Sequence, residues 1–210
     1  MGPSVHLTWH GHACFTLAAE DYRIVLDPYG DESVPGLPPL RLAAEQVLCS
    51  HGHRDHSARE TVTLSGKTVP CPFVITAADC FHDGEGGALR GPNRIHVLEY
   101  GGIRIAHLGD VGHPLTPALR EQIGRVDGAL VPVGGYYTIG PREADAMART
   151  LGAKWVIPMH YRQGAVGYGE IGTVEPFLSL REDVRILPGG ETDIGRETAG
   201  TLVFSAPVLK

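Results

Sequence analysis

The chain has no uninterrupted apolar run close to the ~20 residues that a membrane-spanning helix needs. Its first residues contain no basic segment followed by an apolar one, so no export signal is predicted. The four cysteines are scattered without a CxxC pair, which favours a reducing cytoplasm over a disulfide framework. The net charge of −6 disfavours a nucleic-acid backbone as the main partner. These absences predict a cytoplasmic protein, outside the membrane, that acts on a small molecule.

Glycine, proline and histidine are abundant in the chain. Gly (28) and Pro (16) make up 44 of 210 residues, which predicts short elements joined by many turns. Apolar residues make up 42%, enough for the core of a single domain over residues 1–210. Histidine occurs 11 times, and histidine is the commonest metal ligand in proteins.

Short apolar segments predict a β-meander in the first half and alternating strands and helices in the second. The predicted strands are 5–9, 13–17, 22–26, 46–49, 73–75, 94–99, 103–107, 128–133, 155–158, 184–187 and 201–204. The predicted helices are 115–123, 142–151 and 174–181. This order is typical of an α/β or α+β sandwich, with strands inside and helices outside.

One six-residue motif carries the sharpest chemical signal. His51, His53, Asp55 and His56 directly follow an apolar strand, so four potential ligands lie on one short loop. Neutral imidazoles and carboxylates that converge at ~2.0–2.2 Å are what a divalent ion requires. Two ions ~3.5–4 Å apart need two such sets and a bridging group. The motif therefore predicts a metal site rather than a merely polar loop.

Other candidate ligands lie where further strands end. Asp110 follows Gly109, a residue that lets the backbone approach a crowded centre closely. His160 and His82 also follow apolar segments. Polar side chains at the ends of several strands predict a common functional rim.

Several motifs in this order resemble the metallo-β-lactamase superfamily, and in particular its small L-ascorbate-6-phosphate-lactonase-like hydrolases. They are Trp9-His10-Gly11-His12-Ala13-Cys14-Phe15, Leu26-Asp27-Pro28-Tyr29, residues 50–56, His82, Gly109-Asp110 and Pro158-Met159-His160-Tyr161. The resemblance implies a four-layer αββα sandwich with a dinuclear metal site at one edge. It also implies that His51, His53 and His82 hold one metal, that Asp55, His56 and His160 hold the other, and that Asp110 bridges them.

The sequence leaves some assignments open. His96 and His107 are alternatives to His82 as third ligand of the first metal. Further residues that could contact the substrate or support a ligand are His12, His107, Tyr136, Tyr137 and Thr138.

The predicted activity is hydrolysis of a phosphodiester, a lactone or a related ester by a metal-activated hydroxide, with Asp55 and Asp110 as the catalytic carboxylates. Zinc is the expected metal, and manganese or iron would also suit the ligands. The alternative is a non-catalytic metal-binding or sensor protein that retains the site. A short tRNA-processing nuclease fits less well, because the chain is acidic and lacks a substrate-arm insertion. The resemblance also allows association into a homo-oligomer.

Overall fold

A computed structural model describes residues 2–209, which form fourteen β-strands and four α-helices. The strands are β1 (Ser4–Gly11), β2 (Cys14–Ala19), β3 (Tyr22–Leu26), β4 (Leu42–Ala44), β5 (Gln46–Leu48), β6 (Val62–Leu64), β7 (Val74–Phe81), β8 (Pro92–Tyr100), β9 (Ile103–His107), β10 (Gly128–Pro132), β11 (Trp155–Met159), β12 (Val184–Leu187), β13 (Glu191–Gly195) and β14 (Gly200–Phe204). The α-helices are α1 (Arg54–Ser57), α2 (Pro117–Ile123), α3 (Pro141–Leu151) and α4 (Glu175–Leu178), and a 3-10 turn spans Arg59–Thr61.

Two large sheets form the centre of the fold. One has the strand order β13-β1-β2-β3-β5, and the other has the order β12-β14-β11-β10-β9-β8-β7. Within the first sheet β3 and β5 are parallel, and within the second β9, β10 and β11 are parallel. Strands β4 and β6 form a separate parallel pair.

The main core joins the inner faces of both sheets and the helices on the outer face of the seven-stranded sheet. Phe15 and Leu17 from the first sheet belong to the same buried cluster as Ile95 and Leu98 from the second. Every residue of β10 is buried, as expected for a parallel strand covered on both faces. Helix α3 buries Ala144, Met147, Ala148 and Leu151, a spacing that places them on one helical face.

A second buried cluster covers the outer face of the five-stranded sheet. Val25 and Val47 of that sheet pack with Tyr29 and Leu40 from the Gly- and Pro-rich loop at residues 28–40. This loop, the β4–β6 pair and the one-turn helix α1 make the outer layer on that side.

The predicted α/β sandwich is confirmed, and most predicted elements agree with the structure. Three short strands, β4, β6 and β13, were not predicted. Strand β13 has no apolar run that would predict it, because it is an edge strand with polar residues at Glu191 and Asp193. Strand β7 continues to Phe81, beyond the predicted end at residue 75, and helix α4 covers only part of the predicted segment 174–181.

None of the helices within residues 2–209 is long and apolar enough to cross a membrane.

Candidate metal centre

The carboxyl ends of strands from both sheets meet at one edge of the sandwich. Asp27 follows β3 and His51 lies shortly after β5, while Asp110 follows β9 and His160 follows β11. Strand β7 extends to Phe81 and does not stop at the predicted residue 75. His82 directly follows it and therefore also lies at the end of a strand. Parallel strands present their carboxyl-end residues at the same edge, which is where α/β proteins place their sites.

The first group of converging side chains consists of His51, His53 and His82. Each residue offers one ligand atom, and these atoms lie within 4.8 Å of one another. His53 is the most exposed of the three, whereas His82 is buried. The three predicted ligands of one metal are therefore brought together.

The second group consists of His12, Asp55, His56 and His160, again with ligand atoms within 4.8 Å of one another. Three of these are the predicted ligands of the other metal. The fourth is His12, which the sequence places near the site in a supporting role. Its ring centroid lies 4.0 Å from that of His160.

Asp110 lies between the two groups. Its Oδ2 atom is 3.1 Å from Nε2 of His82 in the first group. The same oxygen is 3.2 Å from Nε2 of His56 and 3.1 Å from Nε2 of His160 in the second group. One buried carboxylate oxygen thus faces imidazole nitrogens from both sets.

The donor set of this edge fits metal ions, because buried polar atoms there have no hydrogen-bond partner in the described part of the chain. Such orphaned atoms are rare in folded proteins and call for an explanation. Those on the ligand side of the site are Asp110 Oδ1 and Nε2 of His51, whose Nδ1 lies 2.9 Å from the Ser50 hydroxyl. Imidazole nitrogens and carboxylate oxygens are the usual ligands of zinc and related divalent ions.

The electrostatics of the site keep two histidines neutral and its carboxylates ionised. Burial lowers the pKa of His51 to about 3, and burial together with the neighbouring His160 lowers the pKa of His12 to about 4. Burial opposes ionisation of Asp110, but His160 and His56 hold the pKa of its carboxyl well below the usual range. Deprotonated ligands are the forms that bind metal.

Asp27 fixes His56 and the start of the histidine loop. Its carboxylate accepts hydrogen bonds from the backbone N–H of Ser50 (2.6 Å), the Ser50 hydroxyl (2.5 Å) and Nδ1 of His56 (2.8 Å). Burial by itself would raise the pKa of Asp27, but the imidazoles of His107 and His56 and the hydrogen bonds lower it to about 2. Holding Nδ1 of His56 leaves its Nε2 facing Asp110, as second-sphere carboxylates do for metal-binding histidines.

Asn93 performs a similar role for Asp110. Its Oδ1 accepts the backbone N–H of Asp110 (2.9 Å), and its Nδ2 donates to the carbonyl of Leu108 (3.0 Å). A Cβ atom on Gly109 would lie 2.4 Å from both Asn93 Oδ1 and Ser50 Cβ. The glycine before the aspartate therefore permits the close backbone approach that the sequence predicts.

Unusual backbone conformations occur at the same edge. His12, Asp27 and His160 are non-glycine residues with φ of 51°, 45° and 53°. The His160 N–H donates to the carbonyl of His12 (3.2 Å), and the His160 carbonyl accepts the N–H of Gly134 (3.2 Å). Left-handed backbone at residues other than glycine is costly and is found mainly at functional sites.

Asp55 is held through one of its two oxygens. Oδ2 accepts hydrogen bonds from Nε2 of His12 and from the hydroxyl of Tyr168, each at 3.2 Å. The Tyr168 hydroxyl shares its single proton between Asp55 and the carbonyl of Ser33, which lies 2.6 Å away. Tyr168, Asn93 and Asp27 were not among the predicted site residues. No local pattern marks Tyr168 or Asn93, and the motif Leu26-Asp27-Pro28-Tyr29 does not show what Asp27 contacts, because each of the three acts on a segment far away in the sequence.

A cavity of about 250 Å³ opens directly on the site. It is lined by His53, Asp55, His82, Arg90, Asp110, Tyr137, His160 and Tyr168. Of the three neighbouring residues predicted to contact the substrate or support a ligand, Tyr136, Tyr137 and Thr138, only Tyr137 lines this cavity within the described part of the chain. Its carbonyl contacts Nδ1 of His82 at 3.1 Å. Tyr136, which is 65% exposed, and Thr138, whose hydroxyl donates to the Ile139 carbonyl, are not among the residues that line the cavity.

The two alternatives to His82 lie outside both groups of converging ligands. His96 directs Nε2 to the carbonyl of Cys49 (3.1 Å). His107 bonds to the carbonyl of Ala13 (2.9 Å) and accepts the N–H of Gly109 (3.2 Å). The structure thus brings His82, and neither alternative, next to His51 and His53; His107 supports the turn that precedes Asp110.

Comparison with known proteins adds the family. The model of the β-lactamase superfamily domain matches residues 6–160, the segment that contains both groups of converging side chains. The chain belongs to the metallo-β-lactamase superfamily.

Relatives agree with this placement along nearly the whole chain. A UPF0173 metal-dependent hydrolase of Methanoculleus marisnigri is 33% identical, covering 93% of this chain and all of the relative. A solved structure from Thermotoga maritima, described as a candidate Zn-dependent hydrolase of the metallo-β-lactamase superfamily, is 34% identical with a TM-score of 0.77 and covers 96% of this chain and 99% of its own. This superfamily member is a metal-dependent hydrolase.

A more distant structure, the metallo hydrolase Igni18 of Ignicoccus hospitalis, shares the fold. It has a TM-score of 0.65 at 18% identity, covering 91% of this chain and 99% of its own. The predicted superfamily and fold class are confirmed. The lactonase-like subtype stays a prediction.

Proposed function

We propose that this superfamily member hydrolyses a phosphodiester, a lactone or a related ester at a centre of two divalent metal ions. The observation that carries the proposal is the position of Asp110, whose Oδ2 lies within 3.2 Å of imidazole nitrogens from both ligand groups. A carboxylate between two sets of ligands is the arrangement that a dinuclear centre requires.

In this proposal His51, His53 and His82 would hold one ion, Asp55, His56 and His160 would hold the other, and Asp110 would be the ligand that the two share. When bound, such ions act as Lewis acids and make hydroxide accessible near neutral pH. Zinc is the proposed metal because imidazole-rich sites with few carboxylates suit it, and Mn²⁺ and Fe²⁺ are the alternatives.

The protein's own residues orient the centre and limit what enters it. His12 and Tyr168 hold Oδ2 of Asp55, which leaves its Oδ1 without a hydrogen bond from the described residues. We assign catalytic roles to Asp55, which would hold the attacking oxygen in line, and to Asp110, which would help to bridge the two ions. The cavity of about 250 Å³ is smaller than the pockets typical of drug-sized ligands, which favours a small substrate or a small end group.

The test combines metal content with turnover. The metal-free protein is loaded with Zn²⁺, Mn²⁺ or Fe²⁺, its ions are counted by mass spectrometry, and cleavage of bis-p-nitrophenyl phosphate and a lactone panel is measured. We expect two ions and cleavage of at least one substrate class. Asp110→Ala should lose both metal binding and cleavage. Asp193→Ala changes a carboxylate that is 73% exposed, and it should retain metal binding and cleavage.

Two outcomes would contradict this proposal. Full turnover by metal-depleted Asp110→Ala would exclude the metal mechanism. Two bound ions without cleavage of any substrate would favour a metal-binding or sensor role. Cleavage of a lactone without cleavage of bis-p-nitrophenyl phosphate would restrict the substrate to carboxylic esters.

A further inference from the structure

The cavity above the candidate metal centre contains one arginine. Five of its lining residues are candidate ligands, and the other three are Arg90, Tyr137 and Tyr168. Among residues 2–209, Arg90 is therefore the only Arg or Lys side chain on this wall. Guanidinium groups recognise carboxylates and phosphates through paired hydrogen bonds.

The Arg90 guanidinium has no carboxylate or hydrogen-bond acceptor within the described residues. Seven other arginines pair with Asp or Glu side chains. Arg90 instead lies half-buried over the ring of Tyr137, with Cζ 5.7 Å from the ring centroid. A cation–π contact of this kind orients the planar group but leaves its N–H donors available.

The loop that carries Arg90 is fixed by a single buried carboxylate. Asp83 accepts backbone N–H groups from Glu85 (2.8 Å), Gly87 (2.8 Å), Leu89 (3.0 Å) and Arg90 (2.7 Å). These hydrogen bonds organise the β7–β8 connection from within. The position of Arg90 is therefore built into the fold, in contrast to that of an arginine on an open loop.

The same connection also begins at a candidate ligand. His82 directly precedes Asp83, and its backbone N–H donates to the carbonyl of Gly91 (3.0 Å), next to Arg90. His82 also contacts the carbonyl of Tyr137, whose ring orients the Arg90 guanidinium. One rigid unit thus sets the position of the guanidinium relative to the centre where hydrolysis is proposed.

We infer that Arg90 binds an anionic group, a carboxylate or a phosphate, that the substrate carries beside its scissile bond. This inference rests on the proposed hydrolytic site and specifies its substrate class as small anionic esters. Tyr137 and Tyr168, whose ring centroids lie 5.8 Å apart, provide the apolar wall next to the anion. Arg90 acts as a specificity residue, which selects the substrate without taking part in bond cleavage.

A binding experiment tests the inference without requiring turnover. The probes are three hydroxamates, which share a metal-chelating head and differ in a terminal methyl, carboxylate or phosphonate group. Their affinity for the metal-loaded protein is measured by calorimetry. We expect the wild-type protein to bind at least one anionic probe about tenfold or more tightly than the methyl probe, since a charge-assisted hydrogen bond contributes at least that much.

The variants assign that preference to one side chain. Arg90→Met should abolish the preference while binding the methyl probe as the wild type does, and Arg90→Lys should retain part of it. Arg94→Met is the matched control, because Arg94 lies on the same hairpin but pairs with the exposed Asp79. The carboxylate and phosphonate probes distinguish the two kinds of anion.

Equal affinity for all three probes, or a preference that survives in Arg90→Met, would overturn the inference. Absence of measurable binding by every probe would count against it in the same way. Failure of the proposed function is a separate result, namely metal-loaded protein that shows the anionic preference but cleaves no ester.

Discussion

Replacing Asp27 by Asn tests how the site orients its ligands. The carboxylate accepts three hydrogen bonds, two from Ser50 and one from Nδ1 of His56. An amide has only one acceptor oxygen, so its nitrogen would face the Ser50 hydroxyl and the His56 ring. His56 would then accept through Nδ1 and carry its proton on Nε2, the atom that faces Asp110. A protonated Nε2 cannot bind a metal ion.

The size of the effect follows from the structure. Asp27 is fully buried, and a pKa lowered from 3.8 to about 2 corresponds to about 2 kcal/mol of folding free energy at neutral pH. That contribution is present above pH 3.8 and is lost as the pH falls toward 2, where the folded protein also takes up the proton. Loss of an outer-sphere partner typically weakens metal binding by about 10- to 100-fold.

Two assays measure these quantities for Asp27→Asn. Urea unfolding of the metal-free protein at pH 7 should show a loss of about 2 kcal/mol, and the difference from wild type should narrow between pH 3.8 and 2. Competition with a chromophoric chelator should show one ion bound about 10- to 100-fold more weakly. Asp193→Asn, at an exposed carboxylate, is the control. Wild-type affinity for both ions together with unchanged stability would refute the reasoning.

Three further predictions concern the surroundings of the centre. Gly112→Ala should lower the free energy of unfolding by about 1–3 kcal/mol in urea titrations, because a Cβ atom there would lie 2.4 Å from the backbone of His82 and Asp83; an unchanged midpoint would contradict this contact. His82→Gln should reduce the count of tightly bound ions from two to one by mass spectrometry, whereas His96→Gln should retain both, and the opposite pattern would make His96 the ligand. Chelation should lower the melting temperature and added metal should restore it, because ligands that bind only the folded state stabilise it; a melting temperature insensitive to metal would argue against binding at this edge.

Much of the candidate site could be predicted from the sequence because its signals are local. The spacing of His51, His53, Asp55 and His56 after an apolar strand needs no knowledge of distant contacts. Gly109 before Asp110 likewise marks a close approach that the structure contains. Apolar segments also predict most strands of the sandwich, since burial of alternate or successive residues depends on the sequence within each segment.

Tertiary structure alone decided which residues support these ligands. Asp27 acts on His56 across 29 residues, and Tyr168 acts on Asp55 across 113 residues. His82, His96 and His107 each lie in or beside an apolar strand, so strand-end position alone does not rank them. Only the folded sheets show that His82 meets His51 and His53, while the other two bond to backbone carbonyls.

Arg90 and the polar edge strand β13 also lack a local sequence signal, and only the folded structure shows their place. An arginine in a Gly-rich segment resembles any exposed charge until the loop closes around Asp83 and leaves the guanidinium at the cavity wall. Residue types and their short-range spacing determine which chemistry the chain can carry. Which of those residues meet is determined by the packing of segments far apart in the sequence, because hydrogen bonding and desolvation depend on distances that exist only in the folded chain.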